Sequence, residues 1–272
     1  MNVSFATSAK APDASNEDYA LATPEIAVLL DGSGVPPGAE TGCRHGLPWF
    51  VRTLAAQLAR HAQNLDVPLA GALEQAIKAT ADDHADTCDP THPLSPSCTV
   101  VTVRSRPHGM DWLVLGDSTL VLRTREGFDV MSDQRLKKGA KKQRAALRQS
   151  QGGERGLWTD LVAEERRLRN HPDGYWIAAG EPAAAHHALM GETAGEATAA
   201  LLMSDGAARP VDPFGLVTWE RCFEWVSNRG PASWLDRVRD IENTDPDRTR
   251  WPRSKKHDDA TVGLVTRPSP GG

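Results

Sequence analysis

Cysteine is scarce and scattered in this chain: Cys43, Cys88, Cys98 and Cys222 lie far apart, with no Cys-x-x-Cys pair among them. That spacing argues against a zinc ribbon and against a dense disulfide framework, and a reduced, cytoplasmic setting is the simplest expectation. Cys43 and Cys222 also lack the arginine, six residues on, that the phosphate loop of a cysteine phosphatase needs. A basic excess is missing as well. The formal net charge of -5 argues against a general nucleic-acid binder. No apolar run approaches the roughly 18 residues of a membrane span, and no charged leader precedes a long apolar stretch, so neither a membrane segment nor an export signal is expected. No internal repeat is visible. Aromatics make up only 6% of the residues, and the eight tryptophans read as core and helix-packing groups rather than a ligand cage.

What is present is ordinary globular material: 272 residues, 39% hydrophobic and 25% charged, enough for one domain over 1–267 with a flexible tail at 268–272. The apolar run 26–30 stops at Asp31-Gly32, as a buried strand ends in a turn. Helical spacing over 47–65 and 69–81 predicts two helices parted near Pro68. A β-branched run at 98–103 predicts a strand. Strands are also expected at 112–115 and 119–123, joined by Gly116-Asp117-Ser118 as a hairpin with a carboxylate at its tip. Further strands are expected at 175–178, 200–203 and 261–265, with helical segments at 181–189, 219–226 and 231–241. Residues 131–171 differ, because Arg135, Lys137, Lys138, Lys141, Lys142, Arg144 and Arg148 crowd them. They read as an inserted basic, helical excursion, either a solvated pair of helices or a docking surface for an acidic or phosphorylated partner.

Five short acidic motifs carry the chemistry: Asn16-Glu17-Asp18, Asp31-Gly32-Ser33-Gly34, Gly116-Asp117-Ser118, Ser204-Asp205-Gly206 and Asp258-Asp259-Ala260-Thr261. A carboxylate where a buried strand opens into a turn is held rigidly and partly desolvated, which is unfavourable unless a cation compensates it. Several such groups converging would suit Mg²⁺ or Mn²⁺, hard ions that take oxygen ligands. Asp31 is suited to bridge two ions, because glycine at 32 lets the backbone come close. Adjacent His186 and His187 point about 100° apart on a helix and make a poor metal pair.

In order and spacing these motifs resemble the type 2C metal-dependent serine/threonine protein phosphatases (the PPM family), especially its compact bacterial branch, over roughly residues 3–267. The resemblance implies an α+β fold, a four-layer α-β-β-α sandwich with two central antiparallel sheets. It implies two Mn²⁺ or Mg²⁺ ions, with Glu17, Asp31 and the Gly32 carbonyl at one and Asp31, Asp205 and Asp258 at the other. Asp117 matches the ligand of a weaker third ion, while Asp18 and Asp259 match carboxylates that orient the ligands and waters. The implied activity is hydrolysis of phosphoserine or phosphothreonine in proteins by an activated water, with Glu17, Asp31, Asp205 and Asp258 as the catalytic set and a monomer as the expected state. Three positions depart from the family pattern. Asp13 stands where many members have a phosphate-gripping arginine, leaving Lys10, Arg44 and Arg209 as candidates for that role. Ser33 replaces a histidine of eukaryotic members, and Val35 a second glycine. These departures keep two alternatives open: a phosphatase of small phosphorylated metabolites, or a non-catalytic binding module on the same fold.

Overall fold

The computed structural model describes residues 1–35, 38–107, 109–139, 143, 145, 146, 155–193 and 197–267. Among them, two five-stranded antiparallel sheets face each other. The first has the order β1–β10–β9–β6–β7, built from β1 (Asn2–Ser8), β6 (Thr119–Arg123), β7 (Phe128–Met131), β9 (Ala199–Met203) and β10 (Ala260–Thr266). The second has the order β2–β3–β4–β5–β8, built from β2 (Tyr19–Ala22), β3 (Ile26–Gly32), β4 (Cys98–Arg106), β5 (Gly109–Leu115) and β8 (Leu189–Glu192). Helices α1 (Leu47–His61) and α2 (Leu69–Asp82) cover the second sheet; α6 (Trp219–Arg229) and α7 (Pro231–Asn243) cover the first. This is the four-layer α+β sandwich that the resemblance implied.

The apolar run of β3 is continuous because both of its faces are buried. Ile26, Val28 and Leu30 pack beneath Phe50, Leu54 and Leu58 of α1 and Leu73 and Ile77 of α2. Ala27 and Leu29 point the other way, into the layer between the sheets, where they meet Val101, Val103, Leu120, Leu202 and Val265. On the far side, Leu201, Met203 and Val262 pack against Phe223, Val226, Trp234 and Val238. Burying a side chain of this size contributes about 1.5–3 kcal/mol, so these three layers hold the sheets in place.

Several sequence expectations need correction. Strands 112–115 and 119–123 exist, as parts of β5 and β6, but they do not form a hairpin. β5 pairs with β4 and β8 in one sheet, β6 with β9 and β7 in the other, so Gly116-Asp117-Ser118 is a crossing between sheets. The turn sequence is the same for either geometry; what distinguishes them is that β5 bonds to β4 and β6 to β9. Residues 175–178 make isolated bridges, Arg169 to Tyr175 and Cys98 to Ala178, and no strand. The helical segment at 181–189 is a 3-10 turn over Pro182–His187, followed by the edge strand β8. Strands β1, β2 and β7 were missed, being short or mixed in composition.

The basic excursion is described only in part: α3 (Arg135–Lys138), a small apolar cluster of Leu136, Leu161, Leu168, Tyr175 and Ile177, and α4 (Arg155–Leu168). Lys141, Lys142, Arg144 and Arg148, and the tail 268–272, lie outside the described residues. The described part is not merely solvated. Lys137 pairs with Asp212, and Arg135 donates to the His187 carbonyl at 2.5 Å. No described helix is long and apolar enough to cross a membrane.

Candidate metal centre

All five acidic motifs gather at one end of the sheet pair. Asp31 closes β3 opposite Thr99, Asp117 lies in the crossing after β5, and Asp205 opens the short helix α5 (Asp205–Ala208) directly after β9. Glu17 and Asp18 precede β2; Asp258 and Asp259 precede β10. Backbone packing ties the motifs together. A Cβ placed on Gly32 would stand 2.4 Å from the Glu17 carbonyl oxygen, so the backbone at 32 can lie against Glu17 only as glycine, and Gly34 leaves the Glu17 carboxylate close above the same loop. The Asp205 N–H donates to Asp31 Oδ2 at 3.1 Å, and Asp259 Oδ2 accepts from the Glu17 N–H at 3.3 Å.

The electrostatics are unfavourable for acids left to themselves. Asp31 reaches solvent on one side yet is surrounded by protein, which pushes its carboxyl well above the usual carboxylate range; Asp18, Asp205, Asp117 and Asp258 add like-charge repulsion. Asp18 is buried, with neither carboxylate oxygen in a well-formed hydrogen bond, and burial pushes it up to about 7 against the opposing pull of the nearby Thr261 and Ser204 hydroxyls, with smaller upward pushes from Asp259 and Asp205. Asp205 is exposed at the mouth, so the upward push from the surrounding protein and from Asp258 is softened by water.

Basic groups compensate part of this charge. Lys10 Nζ lies 2.6 Å from Glu17 Oε2 and 3.4 Å from Asp259 Oδ2. Asp258 accepts from Lys255 Nζ at 2.9 Å and from Arg209 Nη2 at 3.0 Å. Behind them, fully buried Glu242 accepts from Arg209 at 2.5 Å, Arg239 at 2.8 Å and His257 at 2.7 Å, and Arg239 Nη2 reaches the Asp258 carbonyl at 2.7 Å. Of the three phosphate-binding candidates, the structure therefore brings Lys10 and Arg209 to the carboxylates. Arg44 is exposed on the loop before α1, and its backbone N–H goes to Cys88 Sγ. Sequence reasoning missed Glu242, Arg239 and His257. The only available signal was the Lys255-Lys256-His257 run beside Asp258.

Two further arginines were hidden in the excursion. Arg166 of α4 donates to Ser97 Oγ at 3.1 Å and to the Gly34 carbonyl at 3.2 Å, so this helix clamps the loop that follows Asp31. Arg169 donates to the Ser95 carbonyl at 2.9 Å. A Cys-x5-Arg string does occur at Cys98 and Arg104, unnoticed in the sequence because it lies in a β-branched run. It is extended in β4, with roughly 20 Å of strand between the two residues. Cys98 is sealed in the core, and Arg104 is bonded to Asp111 at 2.6 Å and to three backbone carbonyls. It cannot cradle a phosphate.

The residues fit a hard divalent cation. The oxygen donors include two buried, unpartnered atoms on Asp18 and a set of mutually repelling carboxylates, and an ion would remove both liabilities. Among the described residues no three of these carboxylates bring one oxygen each within 4.8 Å of one another. Repulsion spreads them, and Lys10, Lys255 and Arg209 draw Glu17 and Asp258 aside. Closing on shared ions requires side-chain rotation away from these bases.

No curated protein sequence matches the chain. Solved structures of similar fold include the Mycobacterium tuberculosis serine/threonine phosphatase PstP/Ppp, 17% identical with a TM-score of 0.57 over 97% of both chains. A second structure, of the PstP catalytic domain, has the same similarity and contains two manganese ions. The PPM Ser-Thr phosphatase MsPP from Mycobacterium smegmatis, solved with cacodylate, is 16% identical with a TM-score of 0.55 over 98% of this chain and 99% of that one. Similarity at this level establishes the fold. The family model described as protein phosphatase 2C matches residues 7–239. With that match laid over the sandwich and its acidic end, the chain belongs to the protein phosphatase 2C family.

Proposed function

We propose that this chain removes phosphate from phosphoserine or phosphothreonine in proteins, using two divalent cations held by Glu17, Asp31, the Gly32 carbonyl, Asp205 and Asp258. The observation that carries this reading is the gathering of Asp18, Asp31, Asp205 and Asp258 at one end of the sheet pair, with the first three pushed above their ordinary pKa, in a chain of this family. The ions, when bound, would lower the pKa of a water and neutralise charge on the phosphoryl oxygens. The rest is supplied by the chain. The Asp205 N–H orients Asp31, and Gly32 lets Glu17 lie against the loop. Arg209, fixed by Glu242, orients Asp258. Asp18 can take up or release a proton at a carboxylate oxygen near neutral pH. Lys10 is the base best placed to turn toward a phosphate at the mouth, in place of the arginine that Asp13 replaces.

The all-oxygen donor set accommodates Mn²⁺ and Mg²⁺ alike, with a weaker third ion at Asp117 as part of the reading. The domain is taken as 1–267 and the protein as a cytoplasmic monomer. The test is phosphate release from a phosphothreonine peptide with Mn²⁺ or Mg²⁺. Asp31→Ala and Asp205→Ala should each lose several kcal/mol of transition-state stabilisation, about a thousandfold in rate. Unchanged rates in both variants would overturn the assignment. Turnover of p-nitrophenyl phosphate with none on phosphopeptides would keep the chemistry and replace the protein substrate by a small one.

A further inference from the structure

Far apart in sequence, two of the scattered cysteines meet in space. Cys43, His45 and Cys88 offer one donor atom each, Sγ, a ring nitrogen and Sγ, all within 4.8 Å of one another. His45 Nδ1 lies 3.3 Å from Cys88 Sγ. Around a tetrahedral zinc, with Zn–S about 2.3 Å and Zn–N about 2.0–2.1 Å, donor atoms stand about 3.5–3.8 Å apart, so the three are within an ångström or so of a ligating arrangement.

The surroundings hold them there. The two contributing loops are joined by the Asp89 N–H to the Gly42 carbonyl at 2.8 Å, one residue outside each cysteine. Gly42 has φ 67°, and a Cβ on it would fall 2.7 Å from His92 Cβ, so glycine is required for the loops to approach. The His45 ring is stacked on Trp49 at 4.6 Å, and His84 stands edge-on to it at 6.0 Å, which fixes the imidazole's direction. Cys88 Sγ receives the Arg44 N–H at 3.3 Å and lies 3.7 Å from the Thr87 hydroxyl, donors suited to a thiolate. Burial raises the Cys88 thiol, but those donors, with the Cys43 thiol and the His45 N–H, outweigh it and leave it below its ordinary range, while burial and the neighbouring Cys88 hold the Cys43 thiol above its own.

We propose that Cys43, His45 and Cys88 form a binding site for zinc, separate from the carboxylate centre, that locks the loop entering α1 to the loop leaving α2. Two thiolates and an imidazole select a borderline or soft ion over Mn²⁺ and Mg²⁺, so the two centres would not compete for the same metal. Binding releases the two thiol protons and leaves the fourth corner to water. The imidazole aimed at the sulfur pair is what a plain Cys43–Cys88 disulfide would not need. This site does not depend on the chain being a phosphatase.

The test is titration of the fully reduced chain with Co²⁺ in excess Mg²⁺, which occupies oxygen donors. One equivalent should raise a near-ultraviolet thiolate-to-cobalt charge-transfer band, and one equivalent of Zn²⁺ should bleach it. Cys43→Ser and Cys88→Ser should abolish the band, and His45→Gln should weaken Zn²⁺ binding by at least about tenfold. Circular dichroism establishes that each variant is folded, and His45→Gln serves where a serine variant is not. A reduced wild-type chain with no band, or a band that survives both serine variants, overturns the site. So does a Cys43–Cys88 disulfide that resists thiol reductant and leaves Co²⁺ unbound.

Discussion

Asp31 ends a buried strand with Asp18, Asp205, Asp117 and Asp258 around it, and each ionised neighbour raises its energy. In chelator-treated protein, Asp31→Asn should therefore raise the stability to urea by about 1–3 kcal/mol while abolishing phosphatase activity; a less stable variant would contradict the charge argument. Asp18 gives a pH dependence whose sign is fixed. Its folded pKa of about 7 lies above the ordinary value of 3.8, so the stability it contributes is complete below pH 3.8 and is lost as pH rises through about 7. The metal-free protein should lose at most about 4 kcal/mol from this group across that window, and Asp18→Asn should flatten the curve of melting temperature against pH. At this scale the acidic side of the site was legible, because Asp31, Asp205 and Asp258 each abut an apolar strand. The basic side was not. Glu242 reads locally as a surface charge on a helix; it is buried only because Arg209, Arg239 and His257, distant in sequence, close around it.

The element with the least expected role is α4. Its Arg166 guanidinium spans Ser97 Oγ and the Gly34 carbonyl, a two-point contact that a lysine cannot reproduce. Arg166→Ala should cost about 1–3 kcal/mol, Arg166→Lys should not restore it, and hydrogen exchange at residues 33–35 should quicken in both. Unaltered exchange would mean that the helix merely rests on the loop. The charge density of 131–171 masked this role, since an arginine buried against backbone carbonyls and one in water look alike in sequence. Helices α1, α2, α6 and α7 were legible from their apolar periodicity. The pairing of β5 and β6 was not, because a three-residue turn serves a hairpin and a sheet crossing equally well, and only the partners β4 and β9 distinguish them.

For the molecule as a whole, the mutually repelling carboxylates of the proposed metal centre should destabilise the fold until cations occupy it, so Mn²⁺ or Mg²⁺ should raise the melting temperature. At a hundred times the dissociation constant the gain is about 2.7 kcal/mol, or about 5–10 °C for a chain of this size; a midpoint indifferent to both ions would count against the centre. The strand order has a different consequence. Among the described residues β10 is the last strand in sequence, yet it sits between β1 and β9, and Asp258 lies two residues before it. While a ribosome is still making residue 250, β1 has no strand beside it in its sheet and the acidic end lacks Asp258. The nascent chain can therefore pair β9, β6 and β7 early, but it joins β1 to them and completes its carboxylate set in one step, when β10 slots into the gap left for it.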